Sequence, residues 1–440
     1  MDNNVYYYIL AILPLVYFFL KYCKASLGSH SHGFRLPPGP WQLPVIGSLH
    51  HLRGSLPHHA LRDLSLRYGP LMFLKFGEVP VVVASTPDAA KEIMKTHDTI
   101  FSTRPLSLTM KIITKNGPGI VWAPYGELWR QLRKICYMEL LSAKRVQSFR
   151  PMREEEATRL VHAIAISSTT SPLVNLSKLI AIYVADASVH AIMGSRLHGK
   201  DVHQEGLIDV LLRIQEEGQL QFPLTMTTIE AVLFDLFAGG AEIATTTLQW
   251  AMAELLRNPA VMSKGQAEVR GVFTGEMKVT EESLSRLSYL QLVIKETLRL
   301  HTSGPLLIPR ECQEHCRVLG YDVPKGTMVL VNAWAICRNP DYWDEPNRFN
   351  PERFLADTRD LKGNDFDFIP FGTGRRICPG MSFGLANITL GLANLLFYFD
   401  WSLPEGINPS ELDMTETMGI TARRKADLML SATLHFPLPS

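Results

Sequence analysis

The sequence predicts a mainly α-helical chain with a small β portion, and three observations carry that expectation. Thr227 to Arg257 is an apolar-rich stretch long enough for one helix across a whole domain, about 45 Å at 1.5 Å per residue. Met381 to Tyr398 reads as a second apolar helix, and it follows directly on a glycine-spaced loop. Strand-like stretches are short by comparison: Leu71 to Phe76 and Val79 to Ala84 flank Gly77-Glu78 and form a hairpin.

Size and composition narrow the function. The chain has 440 residues, 46% of them hydrophobic, which is enough for a large core. Its 44 basic residues against 43 acidic ones give a formal charge of +1, so no global charge argues for nucleic acid as a partner. The six cysteines (Cys23, Cys136, Cys312, Cys316, Cys337 and Cys378) are too sparse for a disulfide framework and point to a reducing compartment. Cys312 and Cys316, with His315 between them, hold half of a zinc spacing that no second Cys/His pair completes, so buried thiols are the plainer reading.

Taken in order, the chain begins with an apolar run. Val5 to Leu20 holds 16 residues without charge, slightly short of the roughly 17–25 that a spanning helix needs. Flanking tyrosines and Lys21-Tyr22 extend it at the interface, so residues 1–24 are expected to be an N-terminal membrane anchor. Asp2 before the run, and Lys21 and Lys24 after it, argue against a cleaved signal peptide and place the rest of the chain in the cytosol. Residues 25–40 turn polar and then proline-rich; Leu36-Pro37-Pro38-Gly39-Pro40 has few donors and fixed φ, which predicts a stiff spacer. Residues 41–440 form the expected folded domain.

Within it, His58 to Tyr68 and Pro87 to Thr96 read as helices. Trp129 and Arg133, at i and i+4, share one helical face. Arg130, Lys134, Lys144 and Arg145 make a local basic surface. Thr227 followed by Glu230 reads as a capping box opening the long helix, and Asn258-Pro259 closes it. Gly239-Gly240 in its middle costs about 1 kcal/mol per glycine relative to alanine. Such a pair suits a flat group against the backbone or, alternatively, a close helix crossing. Glu296 and Arg299 lie one turn apart on an apolar helix.

The chemistry concentrates in Phe368-Ile369-Pro370-Phe371-Gly372-Thr373-Gly374-Arg375-Arg376-Ile377-Cys378-Pro379-Gly380. Gly372 and Gly374 permit positive φ and close approach of a flat ligand. Cys378 sits at the mouth of a helix, where backbone N–H groups and the dipole favour a thiolate. Arg376 adds a charge suited to a carboxylate. Thiolate, open backbone and arginine together suit haem, with iron on sulfur and a propionate on guanidinium.

The pattern from Phe371 through Gly374, Arg376 and Cys378 to Gly380 resembles the cysteine loop of cytochrome P-450, the haem-thiolate monooxygenases. The resemblance extends over nearly the whole chain and is closest to the membrane-bound plant enzymes. It implies the fold of that family, with haem b between a distal long helix and the proximal cysteine loop. Cys378 would be the axial ligand of the iron, and Gly239 and Gly240 would lie over the ring. Arg104, Trp129, Arg133, Arg310 and Arg376 would reach its propionates. Glu296, Arg299 and Arg353, the last from Pro351-Glu352-Arg353-Phe354, would form a buried structural network.

The same resemblance implies a monooxygenase that uses O2 and electrons from NADPH through a separate flavoprotein, since no dinucleotide fingerprint is present. The basic surface would receive that reductase. The protein would sit in the endoplasmic reticulum membrane by a single span, catalytic domain on the cytosolic side. The substrate should be small and apolar, because the candidate lining residues Ile113, Val121, Leu306, Leu307 and Ile308 lack charge. A terpenoid or another plant secondary metabolite is what the relatives suggest.

Two departures stand out. Between Gly199 and Leu207 the chain lacks several tens of residues that in the family roof the cavity. In the distal helix the expected acid is Glu242, but the threonine that normally follows it is replaced by Ile243. Glu242 and Thr246, one turn on, are then the candidate catalytic residues. Two alternatives stay open: a haem enzyme that rearranges peroxides without external electrons, and an inactive shortened haem-binding product.

Overall fold

The core is built on one helix, Met226–Arg257. It packs against the helices Leu176–Met193 and Met381–Tyr398. At the crossing Gly391 lets three elements meet: a Cβ there would stand 2.8 Å from the Tyr183 ring and 3.0 Å from Leu248. Trp250, fully buried on the long helix, donates its indole N–H to the carbonyl of Ala422 at 2.8 Å. The computed structural model describes residues 12–14, 16–17, 33–194, 206–218, 220, 222–276, 278–417 and 419–439.

The β portion is small, as expected. The hairpin Leu71–Phe76/Val79–Ala84 is antiparallel, with Leu71 opposite Ala84. Val79–Ala84 then pairs in parallel with Met328–Val331, which pairs antiparallel with Arg310–Glu311. Val81, Val82 and Val83 are buried from both faces, which suits β-branched residues in a central strand. A three-stranded sheet (Val174–Asn175, Met429–Leu434, Phe399–Ser402) and the pair Cys316–Val318/Tyr321–Val323 complete it.

The long helix starts at Met226, one residue before the expected Thr227. Its cap is Thr225, whose hydroxyl accepts from the Thr228 N–H at 3.2 Å, and not the Thr227–Glu230 box. Thr225, Thr227 and Thr228 offer equivalent side chains; Thr225 has the extended backbone that a cap requires (φ −80°, ψ 158°). Glu230 is turned to Lys115 instead, at 2.8 Å.

The proline-rich segment lies on the domain. The Arg35 N–H donates to Asp322 Oδ2 at 2.7 Å, and Pro38 accepts from the Phe73 N–H at 2.9 Å. A Cβ on Gly39 would fall 1.9 Å from the Phe73 carbonyl oxygen, so only glycine fits that approach. Most of residues 1–24 falls outside the described residues; Ile12, Leu13, Val16 and Tyr17 are described as helical and exposed.

Residues 195–205, where the shortening falls, are also outside the described residues. The chain on either side meets closely: a Cβ on Gly206 would stand 2.5 Å from the Gly194 nitrogen. The helix Leu207–Glu217 then buries Leu207 and Leu211 in a cluster with Leu132, Leu140 and Ile229. Among the described residues nothing covers the outward face of the long helix, where Phe234, Phe237, Ala238 and Gly239 are exposed.

The Glu296 network forms with every charge paired. Glu296 accepts from Arg299 Nε at 2.7 Å and Nη2 at 2.8 Å, from Arg353 Nε at 3.0 Å and from the Asn350 N–H at 2.9 Å. The remaining Arg299 donors reach the carbonyls of Cys337, Pro346 and Arg348. Glu296 and Arg299 are both fully buried. Glu296→Gln leaves two guanidinium charges without their counter-ion, and the expected loss of stability is about 3–5 kcal/mol. Urea unfolding of the two forms measures it; a loss below about 1 kcal/mol would show the network to be dispensable.

Candidate active site

The cysteine loop closes on itself through the Cys378 N–H, which donates to the Phe371 carbonyl at 3.0 Å. Gly372 and Gly374 have φ of 68° and 71°, a region that favours glycine. At Gly374 the close approach comes from the chain's own Met94 carbonyl, 2.3 Å from where a Cβ would sit, not from room left for a ligand. The expected thiolate character of Cys378 is outweighed in the protein alone. Burial lifts its thiol above the ordinary range, and the Gly380 N–H and the Arg133 charge offset this in part. The helix that follows opens at Met381, three residues on, too far for its dipole to dominate.

Around this loop the structure assembles the predicted arginines from four distant segments. Arg376 donates to three backbone carbonyls: Ser102 at 2.8 Å, Ile120 at 3.3 Å and Ala123 at 2.5 Å. Arg104 donates through Nη1 to Ile308 and Pro309 and leaves its buried Nε without a partner. Arg133 donates to Ile377, beside Cys378. Arg310 donates to Asp98 at 3.2 Å and to the Thr373 carbonyl. Burial, then repulsion by Arg310 and Arg133, pushes Arg376 down to about 9. Burial and the same neighbours hold Arg104 well below its usual range. Trp129 serves as their platform: its ring lies under Arg376 at 4.1 Å and Arg133 at 5.4 Å, while its N–H is given to the Ile120 carbonyl.

Asp98, which sequence reasoning missed, is the carboxylate of this cluster. It takes Arg310, the Arg375 N–H at 2.9 Å and Arg375 Nη1 at 3.0 Å. It lies 277 positions from Arg375, and no local pattern marks it.

On the distal side Glu242 Oε1 accepts from Thr421 at 2.7 Å and faces Arg423 Nε at 3.5 Å. Thr246 is buried with its hydroxyl unpartnered, whereas Thr247 is bonded back to the Ile243 carbonyl and to Ser303. The two glycines divide the two readings of their pair. Gly239 has open space beside it; a Cβ on Gly240 would touch Ser188 Oγ at 3.4 Å, so Gly240 also serves the helix crossing.

A cavity of about 210 Å³ is lined by Trp122, Leu306, Leu307, Ile308, Thr417 and Ile420, among others. Leu306, Leu307 and Ile308 border it as expected, and Thr417, Gly419 and Ile420 join them; Leu307 turns there at φ 51°, a strained value for a side chain branched at Cγ. Ile113 is exposed and Val121 half-buried, away from this lining. Cys312 and Cys316 form no metal site: the Cys312 thiol donates to the Glu314 carbonyl, and His315 is turned to Asp322.

The sequence profile of the family described as Cytochrome P450 matches residues 37–216 and 200–429. The chain belongs to the cytochrome P450 family. Desmethyl-deoxy-podophyllotoxin synthase of Sinopodophyllum hexandrum is 45% identical, over 96% of each chain. Premnaspirodiene oxygenase of Hyoscyamus muticus is 44% identical over 95% of this chain and 97% of its own. Dolabradiene monooxygenase of Zea mays is 44% identical, over 91% of this chain and 93% of its own. Among solved structures, a zebra fish cytochrome P450 with abiraterone superposes with a TM-score of 0.76 at 25% identity, covering 86% of this P450 and 99% of that chain. This P450 is therefore a monooxygenase, and family and fold imply haem held by a cysteine thiolate.

The first alignment spans 491 positions, more than the 440 residues of this chain, so it contains gaps opposite residues of the relative. The profile matches in two parts that overlap at residues 200–216, the region where the sequence predicts the shortening. The fit to haem rests on the arginines. Arg104, Arg133, Arg310 and Arg376 face one another with Asp98 as the carboxylate among them, and a buried guanidinium nitrogen is left over. Two propionates would supply the missing negative charge.

Asp235 ties the two sides together. From the long helix its Oδ2 accepts the Val121 N–H at 2.8 Å; the neighbouring Ile120 carbonyl accepts from Trp129 at 2.9 Å and Arg376 at 3.3 Å. Burial pushes Asp235 up to about 6, against an ordinary value near 3.8, although the Val121 and Ile120 N–H groups oppose it. A raised carboxyl binds its proton more tightly folded than unfolded, so its contribution is present below the unfolded value and lost as pH rises through about 6. Asp235→Asn should remove that dependence, and its stability relative to the unmodified protein should rise between pH 4 and 6.5 by up to ~3 kcal/mol. Urea unfolding across that pH range measures the difference; parallel curves would contradict the assignment.

Proposed function

We propose that this P450 hydroxylates a small apolar, terpenoid-type molecule in the endoplasmic reticulum membrane, with O2 and electrons from an NADPH-dependent flavoprotein reductase. The observation that carries the reading is the buried arginine cluster beside Cys378, which lacks the negative charge that haem propionates bring. Bound haem supplies oxygen activation, favoured by the electron density of an axial thiolate. The names premnaspirodiene, 5-epiaristolochene and dolabradiene, carried by three relatives, are those of hydrocarbons. An apolar lining of Leu306, Leu307, Ile308 and Ile420 suits such a substrate here.

Each residue then has a task. Cys378 holds the iron, and Arg104, Arg133, Arg310 and Arg376 hold the propionates on the Trp129 platform. Phe371, Gly374 and Gly380 shape the proximal loop, and Gly239 and Gly240 leave the distal backbone bare. Arg130, Lys134 and Lys144 are exposed and suit an acidic reductase surface, while Arg145 is turned inward to the Glu139 carbonyl. The run Val5 to Leu20 would hold the domain at the membrane by a single span, facing the cytosol.

Cys378→Ala should abolish the thiolate-type spectrum of the reduced, carbon monoxide-bound protein, whereas Cys136→Ala should leave it intact. A normal spectrum from Cys378→Ala would refute the ligand.

Proton delivery is the weak point. Ile243 can neither donate nor accept a hydrogen bond. Glu242 Oε1 is taken by Thr421 and Arg423, so its other oxygen, water or a substrate hydroxyl has to carry the proton. Thr246 lies about 5 Å further along the axis. General acid steps contribute typically about 10²–10⁴-fold. Much of the NADPH consumed with reductase should therefore end as hydrogen peroxide, and Ile243→Thr should raise the share of electrons reaching product. NADPH oxidised, peroxide released and product formed, measured for both forms, decide it; tight coupling unchanged by the substitution would remove the argument. Ile243 also favours a second reading, peroxide rearrangement, for which no relay is needed. Turnover of a hydroperoxide without NADPH or reductase would select it.

A further inference from the structure

At the start of the helix Pro57–Tyr68, outside the arginine cluster, two histidines meet a carboxylate from the C-terminal region. His58 Nε2 lies 2.7 Å from Glu416 Oε2, and His59 Nε2 lies 3.7 Å from the same oxygen. One ligand atom from each of the three residues falls within 4.8 Å of the others. We propose that His58, His59 and Glu416 form a binding site for a divalent late transition metal of the zinc class, separate from the haem site.

The chemistry of the set supports this. Two imidazoles and a carboxylate are borderline ligands that suit zinc and leave a fourth position open. Zn–N of about 2.0–2.1 Å and Zn–O of about 2.0–2.2 Å put tetrahedral ligand atoms roughly 3.3–3.5 Å apart. Reaching that requires His58 and Glu416 to part by less than about 1 Å, His59 and Glu416 to close by a few tenths, and the two histidine nitrogens, within 4.8 Å of each other, to close by up to about 1.5 Å through side-chain rotation. The two rings stand at 80° to each other with centroids 4.5 Å apart. His59 Nε2 is buried and has no hydrogen-bond partner, a nitrogen facing a carboxylate that it does not reach.

The frame around the set is firm. The His58 carbonyl accepts from Asn332 Nδ2 at 2.8 Å, and the His59 ring packs on Trp334 at 4.3 Å. Glu416 is bridged to Arg424 across a turn. The His59 side chain is 35% exposed, so an ion has a way in. Nearby positive charge limits the affinity. Arg62 is paired with Asp63 at 2.7 Å, but Arg338, stacked on Trp334, faces Glu416. Weaker binding than at the same ligand set without these charges follows. Because His58 and Thr417 line the cavity, an ion here would pin one wall of it to the other.

The test uses the full-length protein as purified with its haem, stripped of loose metal with a chelator and titrated with zinc chloride by calorimetry at pH 7.5. One saturable site is expected, with a matching rise in melting temperature. His59→Gln should weaken binding at least tenfold while the haem absorption spectrum stays unchanged. Glu416→Gln should do the same and serves as the second variant, with circular dichroism confirming its fold. No saturable binding overturns the proposal. So does binding of unchanged affinity in both variants, which would assign the zinc to another group such as the Cys312–Cys316 thiols.

Discussion

The burial of guanidinium groups side by side is the constraint from which the rest of this structure follows. Arg104, Arg133, Arg310 and Arg376 come from segments more than 270 residues apart at the extremes, and of the four only Arg310 is paired with a carboxylate, Asp98. Buried charges of one sign are tolerated only with abundant hydrogen bonding. The chain supplies it from backbone carbonyls of residues 102, 120, 123, 308, 309, 373 and 377. These carbonyls belong to loops, so the loops are shaped by the arginines they serve. A dianionic group would complete the balance, and in this the cluster differs from a self-sufficient stabilising network.

The contrast with the Glu296 network makes the distinction physical. There each charge meets its counter-ion, every Arg299 nitrogen has a partner, and nothing is left for a ligand. In the arginine cluster a buried nitrogen of Arg104 is left over. The first arrangement holds the helix Ser288–Leu300 to the segment that ends in Arg353; the second waits for a partner from outside the chain.

The distal side shows how a shortened chain keeps a core. Gly194 and Gly206 approach so closely that the helices flanking them join without the missing residues, and Leu207 and Leu211 still find the cluster around Leu132. The outward face of the long helix, with Phe234 and Phe237, is left bare among the described residues. Asp235 on that helix is nevertheless committed inward, and it carries the position of the 119–121 loop to Trp129 and Arg376.

Family, fold class, the cysteine loop and the Glu296–Arg299 pair were legible in the sequence, because each depends on residue type at short spacing. Phe371, Gly374, Arg376, Cys378 and Gly380 lie within ten positions; Glu296 and Arg299 are one turn apart. The shortening and Ile243 were equally visible, being properties of order alone. What only the tertiary structure decided is partnership. Which threonine caps the long helix turned on a backbone angle at Thr225. That Gly374 is needed for Met94 and that Asp98 gathers Arg310 and Arg375 depend on atoms brought together across more than 200 residues, and that Trp129 gives its N–H to Ile120 depends on how the intervening loop folds back. Residue type states what a side chain can bond; only the fold determines which of its possible partners is within about 3 Å.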